Sequence, residues 1–156
     1  MSAATYPHTT HTATLTPTRP GTAHPALGLL LLRSAIGAMY LAHAGLKLFV
    51  FTLPGTAQFF AGIGLPGPLA YAVFAAEALG GLLLLAGVYS RQVALTLLPV
   101  LLGAAWVHAG NGWVFTAAGG GWEYPAFLAL ASLVLWLSGD GALALRRSDR
   151  LTWSPR

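Results

Sequence analysis

Four apolar stretches, residues 26–51, 66–88, 92–109 and 123–139, dominate this chain and are separated by short polar interruptions. A helix that crosses a bilayer needs about 20 residues, with a range of roughly 17 to 25. The first two stretches meet that length comfortably, and the last two lie near its lower limit. Trp106, Trp113, Trp122 and Tyr124, placed at or beyond their ends, are expected to anchor them at the headgroups. Helices satisfy their own backbone hydrogen bonds in lipid, which open strands cannot do. The pattern therefore predicts an all-α polytopic membrane protein, a four-transmembrane-helix bundle over residues 26–145.

The interruptions set the arrangement. Tyr89, Ser90 and Arg91 predict a tight turn that makes the second and third helices antiparallel neighbours. Residues 52–65 (TLPGTAQFFAGIGL) predict a longer connection with a short interfacial helix, and residues 110–122 (GNGWVFTAAGGGW) a glycine-rich loop.

Polar positions inside the apolar stretches are few, and each is informative. A charge at the bilayer centre costs about 2.5 to 3.5 kcal/mol on insertion scales, so it faces the bundle interior and takes a partner. Arg33, Gly37, Tyr40, His43 and Lys47 follow one another at steps of four, three, three and four residues, which puts them on one stripe of the first helix. The second helix carries Glu77 midway, followed by Gly80 and Gly81, which let a neighbouring helix approach closely. A buried ion pair between Arg33 and Glu77 is the economical expectation, with Asp140 as the competing partner of Arg33. Toward the other side of the membrane His43, Lys47, His108, Trp122 and Glu123 fall at similar depth, with Trp113 and Asn111 in the adjoining loop. They predict a ligand or quinone pocket that combines imidazoles, an ammonium, a carboxylate and indoles. Each also has a plainer reading: a register-fixing pair, a lysine snorkelling to the headgroups, a hydrogen bond that pins a loop, or interfacial anchors. No spacing among His43, His108 and Glu123 marks a metal site, and none is assigned.

Composition sharpens this picture. Hydrophobic residues make up 56% of the chain and charged residues 8%, against about 25% charged in a soluble domain. Most of the surface must face lipid. There is no cysteine, which removes disulfides, thiolate metal sites and cysteine-based redox chemistry. The isoelectric point near 10 comes largely from Arg146, Arg147, Arg150 and Arg156 beside the fourth helix, a topology signal rather than a nucleic-acid surface. With Arg19 and Arg91 on that same side, both termini are expected in the cytoplasm and the long loops outside. Residues 1–25, rich in Thr, Ala, Pro and His, read as a disordered tail in which His8, His11 and His24 are solvated, and 146–156 as a basic cytoplasmic tail.

The same residues carry a family resemblance. LLRSAIGAMYLAHAGLKL (31–48), FFAGIGLPGPLAYAVFAAEALGGLLLLAGVYSR (59–91), VHAGNGW (107–113) and GGWEYPAFLALASLVL (120–135) resemble, in order, the DoxX family of small bacterial membrane proteins. The family's first-helix arginine corresponds to Arg33, its closing lysine to Lys47, its acid and double glycine to Glu77, Gly80 and Gly81, its third-helix histidine to His108, and its GWE element to Gly121, Trp122 and Glu123. The resemblance implies a four-helix bundle in the bacterial inner membrane. It also implies a link to thiosulfate:quinone oxidoreductase and to membrane redox complexes that handle oxidative stress. The fold resembles the vitamin K epoxide reductase group too, but that group works through cysteines, absent here.

Three functions stay open on these grounds. One is a membrane subunit of a quinone-linked oxidoreductase system, with His43, Lys47 and His108 as donors to the quinone and Glu123 as proton relay; the sequence contains no electron-transfer cofactor motif, so electrons come from a redox partner subunit or a bound substrate. The second is a small-solute transporter or permease, which would work as a homo-oligomer. The third is a non-catalytic scaffold for a redox partner.

Overall fold

The computed structural model describes residues 24–150. The sequence readings of His8, His11 and the rest of residues 1–23, and of 151–156, lie outside these residues. Five α-helices follow in order: α1 Pro25–Gly45, α2 Leu53–Gly62, α3 Leu69–Ala86, α4 Ser90–His108 and α5 Glu123–Ser138. A π-helical turn, Leu46–Val50, prolongs α1 into a 26-residue span, Pro25–Val50. This span, α3 and α4 are each long and apolar enough to cross a membrane, and α5 is an apolar helix of 16 residues. Helix α2 is the short element expected in the first connection.

Helices α1, α3, α4 and α5 close a four-helix ring in which each packs against two others, while α2 lies against α3. Two glycines set the closeness of packing. A Cβ at Gly81 would stand 2.9 Å from the Gly37 carbonyl oxygen, so α1 and α3 cross backbone to backbone there. Gly80, one residue away, turns to α4 and receives the Leu97 side chain. Ile36, Leu84, Leu97, Leu101, Leu128 and Leu135 fill the centre. Outward, the helices present bare apolar side chains such as Leu31, Leu79, Leu102 and Phe127, the pattern of a protein whose solvent is lipid.

Gly87, in the left-handed conformation at φ 68, caps α3 and starts the tight turn into α4. Beyond α5 the chain turns back as a strap along this end of the bundle. Ala142 N–H donates to the Ala26 carbonyl, Tyr89 N–H donates to the Arg146 carbonyl, and Arg146 N–H donates to the Gly87 carbonyl, a bridge across Val88. The strap stays on the bundle as far as Ser148, which is fully buried. The strap, the start of α1 and the α3–α4 turn form the terminal end. Helix α2 and residues 109–122 form the loop end.

Candidate functional site

The predicted stripe of α1 faces inward: Arg33, Gly37 and Tyr40 are buried, and His43 and Lys47 half-buried. The charged pairing differs from expectation. Lys47 Nζ donates to both carboxylate oxygens of Glu77, at 2.7 and 2.9 Å. Arg33 reaches the other way, donating to the backbone carbonyls of Asp140 (2.9 Å) and Ala142 (3.3 Å). Side-chain direction explains the correction. Helical side chains lean toward their own N-terminus. Because Gly37 lies against Gly81, Glu77 stands opposite position 41 of the antiparallel α1. Arg33 is about 12 Å from that level toward the terminal end and leans further away; Lys47 is about 9 Å from it toward the loop end and leans back. Glu77, on α3, leans toward the loop end and meets the lysine. Asp140 does serve Arg33, but with its carbonyl; its carboxylate binds the N–H and hydroxyl of Ser148 at 2.8 and 2.6 Å.

The remaining members of the expected pocket separate into two places. His43 donates Nδ1–H to the Met39 carbonyl at 2.8 Å and stacks on Tyr124, ring centroids 5.8 Å apart. It thus stays with the interior. His108 and Glu123 pin the loop. The His108 ring nitrogen meets the Gly119 carbonyl at 2.9 Å, where Asn111 also donates, and the Glu123 carboxylate accepts the Phe115 N–H at 2.8 Å. Gly121 is needed in this loop because a Cβ would collide with the Trp113 and Val114 carbonyls. Among the described residues no three His, Asp or Glu side chains converge as a metal-binding group, so His43, His108 and Glu123 do not form one.

Trp122 packs edge-on against Trp113, centroids 4.5 Å apart. Together with Phe115, Glu123, Tyr124 and Phe127 they line a cleft of about 500 Å³ at the start of α5. Lys47, His43 and His108 are not among its lining residues. Glu123 at the first position of α5 lies where the helix dipole favours a carboxylate.

Sequence reasoning missed two interior residues. Ser132 is 1% exposed, with its hydroxyl against that of Tyr40, and the Tyr124 hydroxyl is buried and unpartnered. The available signal was their helical spacing on α5, which places both toward the stripe of α1.

A family model described as DoxX matches residues 28–110. Among curated proteins, "Putative oxidoreductase CatD" of Bacillus subtilis (strain 168) is 36% identical over 119 residues, covering 76% of this chain and 84% of that protein. No solved structure matches the chain significantly. The family match contains Arg33, Lys47 and Glu77 and ends before the aromatic cleft.

Proposed function

The chain belongs to the DoxX family, and from that premise we propose that it is the membrane component of a redox system and receives a quinone headgroup in the aromatic cleft at its loop end. The cleft is the observation that carries this reading. A quinone headgroup is a flat ring with an oxygen at each pole. It calls for aromatic walls and a few polar groups at the edges. Trp113, Phe115, Trp122 and Phe127 supply walls, and Tyr124 and Glu123 supply a hydroxyl and a carboxylate. Phe127 and Leu130, both lining the cleft, are also exposed on the outside of α5, so a lipid-soluble molecule can enter from the bilayer.

The pocket proposed here is narrower than the one sequence suggests. Trp122 and Glu123 stay. Lys47 leaves because Glu77 engages it, and His108 because it does not line the cleft. His43 backs the pocket through its stacking on Tyr124. The oxidoreductase name of the relative supports a redox role, with a partner subunit as the electron donor. A transport path would have to pass Ile36, Leu84 and Leu135, which fill the terminal half. Orientation follows the positive-inside rule: among the described residues the terminal end holds Arg33, Arg91, Arg146 and Arg147, and the loop-end half holds Lys47, neutralised by Glu77. The terminal end then faces the cytoplasm across the bacterial inner membrane.

A short-chain benzoquinone titrated into the protein in lipid nanodiscs is the test. Tryptophan emission should quench saturably. Trp113→Leu or Tyr124→Phe should raise the apparent Kd about tenfold, equivalent to about 1.4 kcal/mol. Linear quenching, identical in both variants, would sink the proposal.

A further inference from the structure

A second groove, of about 370 Å³, runs between α3 and α4. Ala76, Leu79 and Leu83 of α3 and Val93 of α4 line it, and Leu97 meets Gly80 within it. Leu79, Leu83 and Thr96 are also exposed on the outside of the bundle, so the groove opens to the bilayer. At about 1.5 Å per residue, Ala76 to Leu83 extend roughly 10 Å along α3. One leaflet's hydrocarbon is about 15 Å deep, half of the core's ~30 Å. The groove therefore follows an acyl chain for about two thirds of a leaflet, starting near the terminal end.

At that end the strap adds charge. Tyr89 and Gln92 both line the groove. The Tyr89 N–H donates to the Arg146 carbonyl at 2.9 Å, and the Gln92 side-chain amide donates to the Ser148 carbonyl at 3.5 Å. Residues 146–148 are thus tied to two groove residues, which sets Arg146 and Arg147 at the mouth. Both arginines are exposed, and neither side chain has an ion-pair partner among the described residues. The exposed acid beside them is Asp149; the Asp140 carboxylate is taken by Ser148.

An apolar groove with two free cations at its headgroup end is complementary to a molecule with an apolar chain and an anionic head. A second copy of this chain in the same orientation would instead bring two more arginines to the same level, where like charges repel. We propose that the α3–α4 groove binds an acidic diacyl phospholipid, with one acyl chain along Ala76–Leu83, the phosphate at Arg146 and Arg147, and Tyr89 and Gln92 at the level of the ester carbonyls. The aromatic cleft lies at the other end of the bundle, so this inference is independent of what occupies it.

Native mass spectrometry of the intact protein in mild detergent tests the site, with dioleoyl phosphatidylglycerol and dioleoyl phosphatidylcholine as probes. The acidic lipid should bind more tightly by about fivefold for each arginine, about 25-fold in all. Arg146→Gln with Arg147→Gln should remove that preference. Thr96→Phe, which fills the groove from its exposed side, should weaken both lipids about tenfold and leave the preference intact. Leu102→Phe, on the exposed face of α4 outside the groove, should change neither. Glycerol 3-phosphate, a headgroup without chains, should not displace the lipid. Equal binding of the two lipids, or acidic-lipid binding that survives Thr96→Phe, would overturn the proposal. Displacement by glycerol 3-phosphate would mean a site for soluble phosphate instead, and a dimer that Thr96→Phe splits into monomers would assign the groove to a second copy.

Discussion

Lys47 and Glu77 show how little of a buried pairing is set by charge alone. Both candidate bases lie on the same stripe of α1, and Glu77 sits between their levels. The choice falls to the lean of each side chain along its helix. Losing one member of a buried pair typically costs 3–5 kcal/mol, because the other charge is left unpaired in an apolar medium, whereas replacing both with apolar residues is often neutral. Glu77→Leu is therefore expected to lower stability in detergent by about 3 kcal/mol or more, and Glu77→Leu with Lys47→Met to recover most of it. Combining Glu77→Leu with Arg33→Met should give additive losses, because Arg33 has its own carbonyl partners. Recovery with the arginine instead of the lysine would contradict the geometry. The sequence made the stripe legible, since Arg33, Gly37, Tyr40, His43 and Lys47 repeat with the helix, but it does not reveal which way a long side chain bends. Ser132 was illegible for a different reason: one hydroxyl within ALASLVL resembles any small residue at a helix contact.

Among the elements, the helices were legible because lipid imposes a simple length and composition rule, and the structure moves their limits by only a few residues. The strap after α5 was not, since its conformation rests on tertiary hydrogen bonds to Ala26, Gly87 and Val88 and has no period of its own. The glycines lie between these cases. Gly80 and Gly81 were readable as packing residues, yet not as serving two different neighbours. Their substitution separates close packing from helix propensity. At Gly81 an added methyl meets the Gly37 carbonyl at 2.9 Å, while at Gly103 it meets nothing within 4 Å. Gly81→Ala should therefore destabilise by roughly 1–3 kcal/mol. Gly103→Ala should be neutral or stabilise by up to about 1 kcal/mol, through lower backbone entropy in the unfolded chain. Urea unfolding in mild detergent reads both, and equal effects at the two sites would mean that α1 and α3 do not meet at Gly37 and Gly81.

For the molecule as a whole, orientation is the property on which the proposed function depends most, and the absence of cysteine makes it simple to test. Ser90, within the expected tight turn, would be a poor reporter, because the structure buries it completely. Exposed positions serve better. Cysteine in place of Gln58 or Ala118 should react with an impermeant thiol reagent in intact cells, and cysteine in place of Arg147 only after permeabilisation; the reverse pattern would invert the bundle. The clasp on Arg33 also constrains the order of assembly. Arg33 and the carbonyl of Asp140 that receives it are 107 residues apart, so the ribosome releases the guanidinium long before it makes the oxygen that satisfies it. The first helix must wait in or beside the bilayer with its arginine provisionally solvated by headgroups or water. Only when the strap closes over the start of α1 does that cation acquire its permanent ligands, so an early helix is sealed by a segment made more than a hundred residues later.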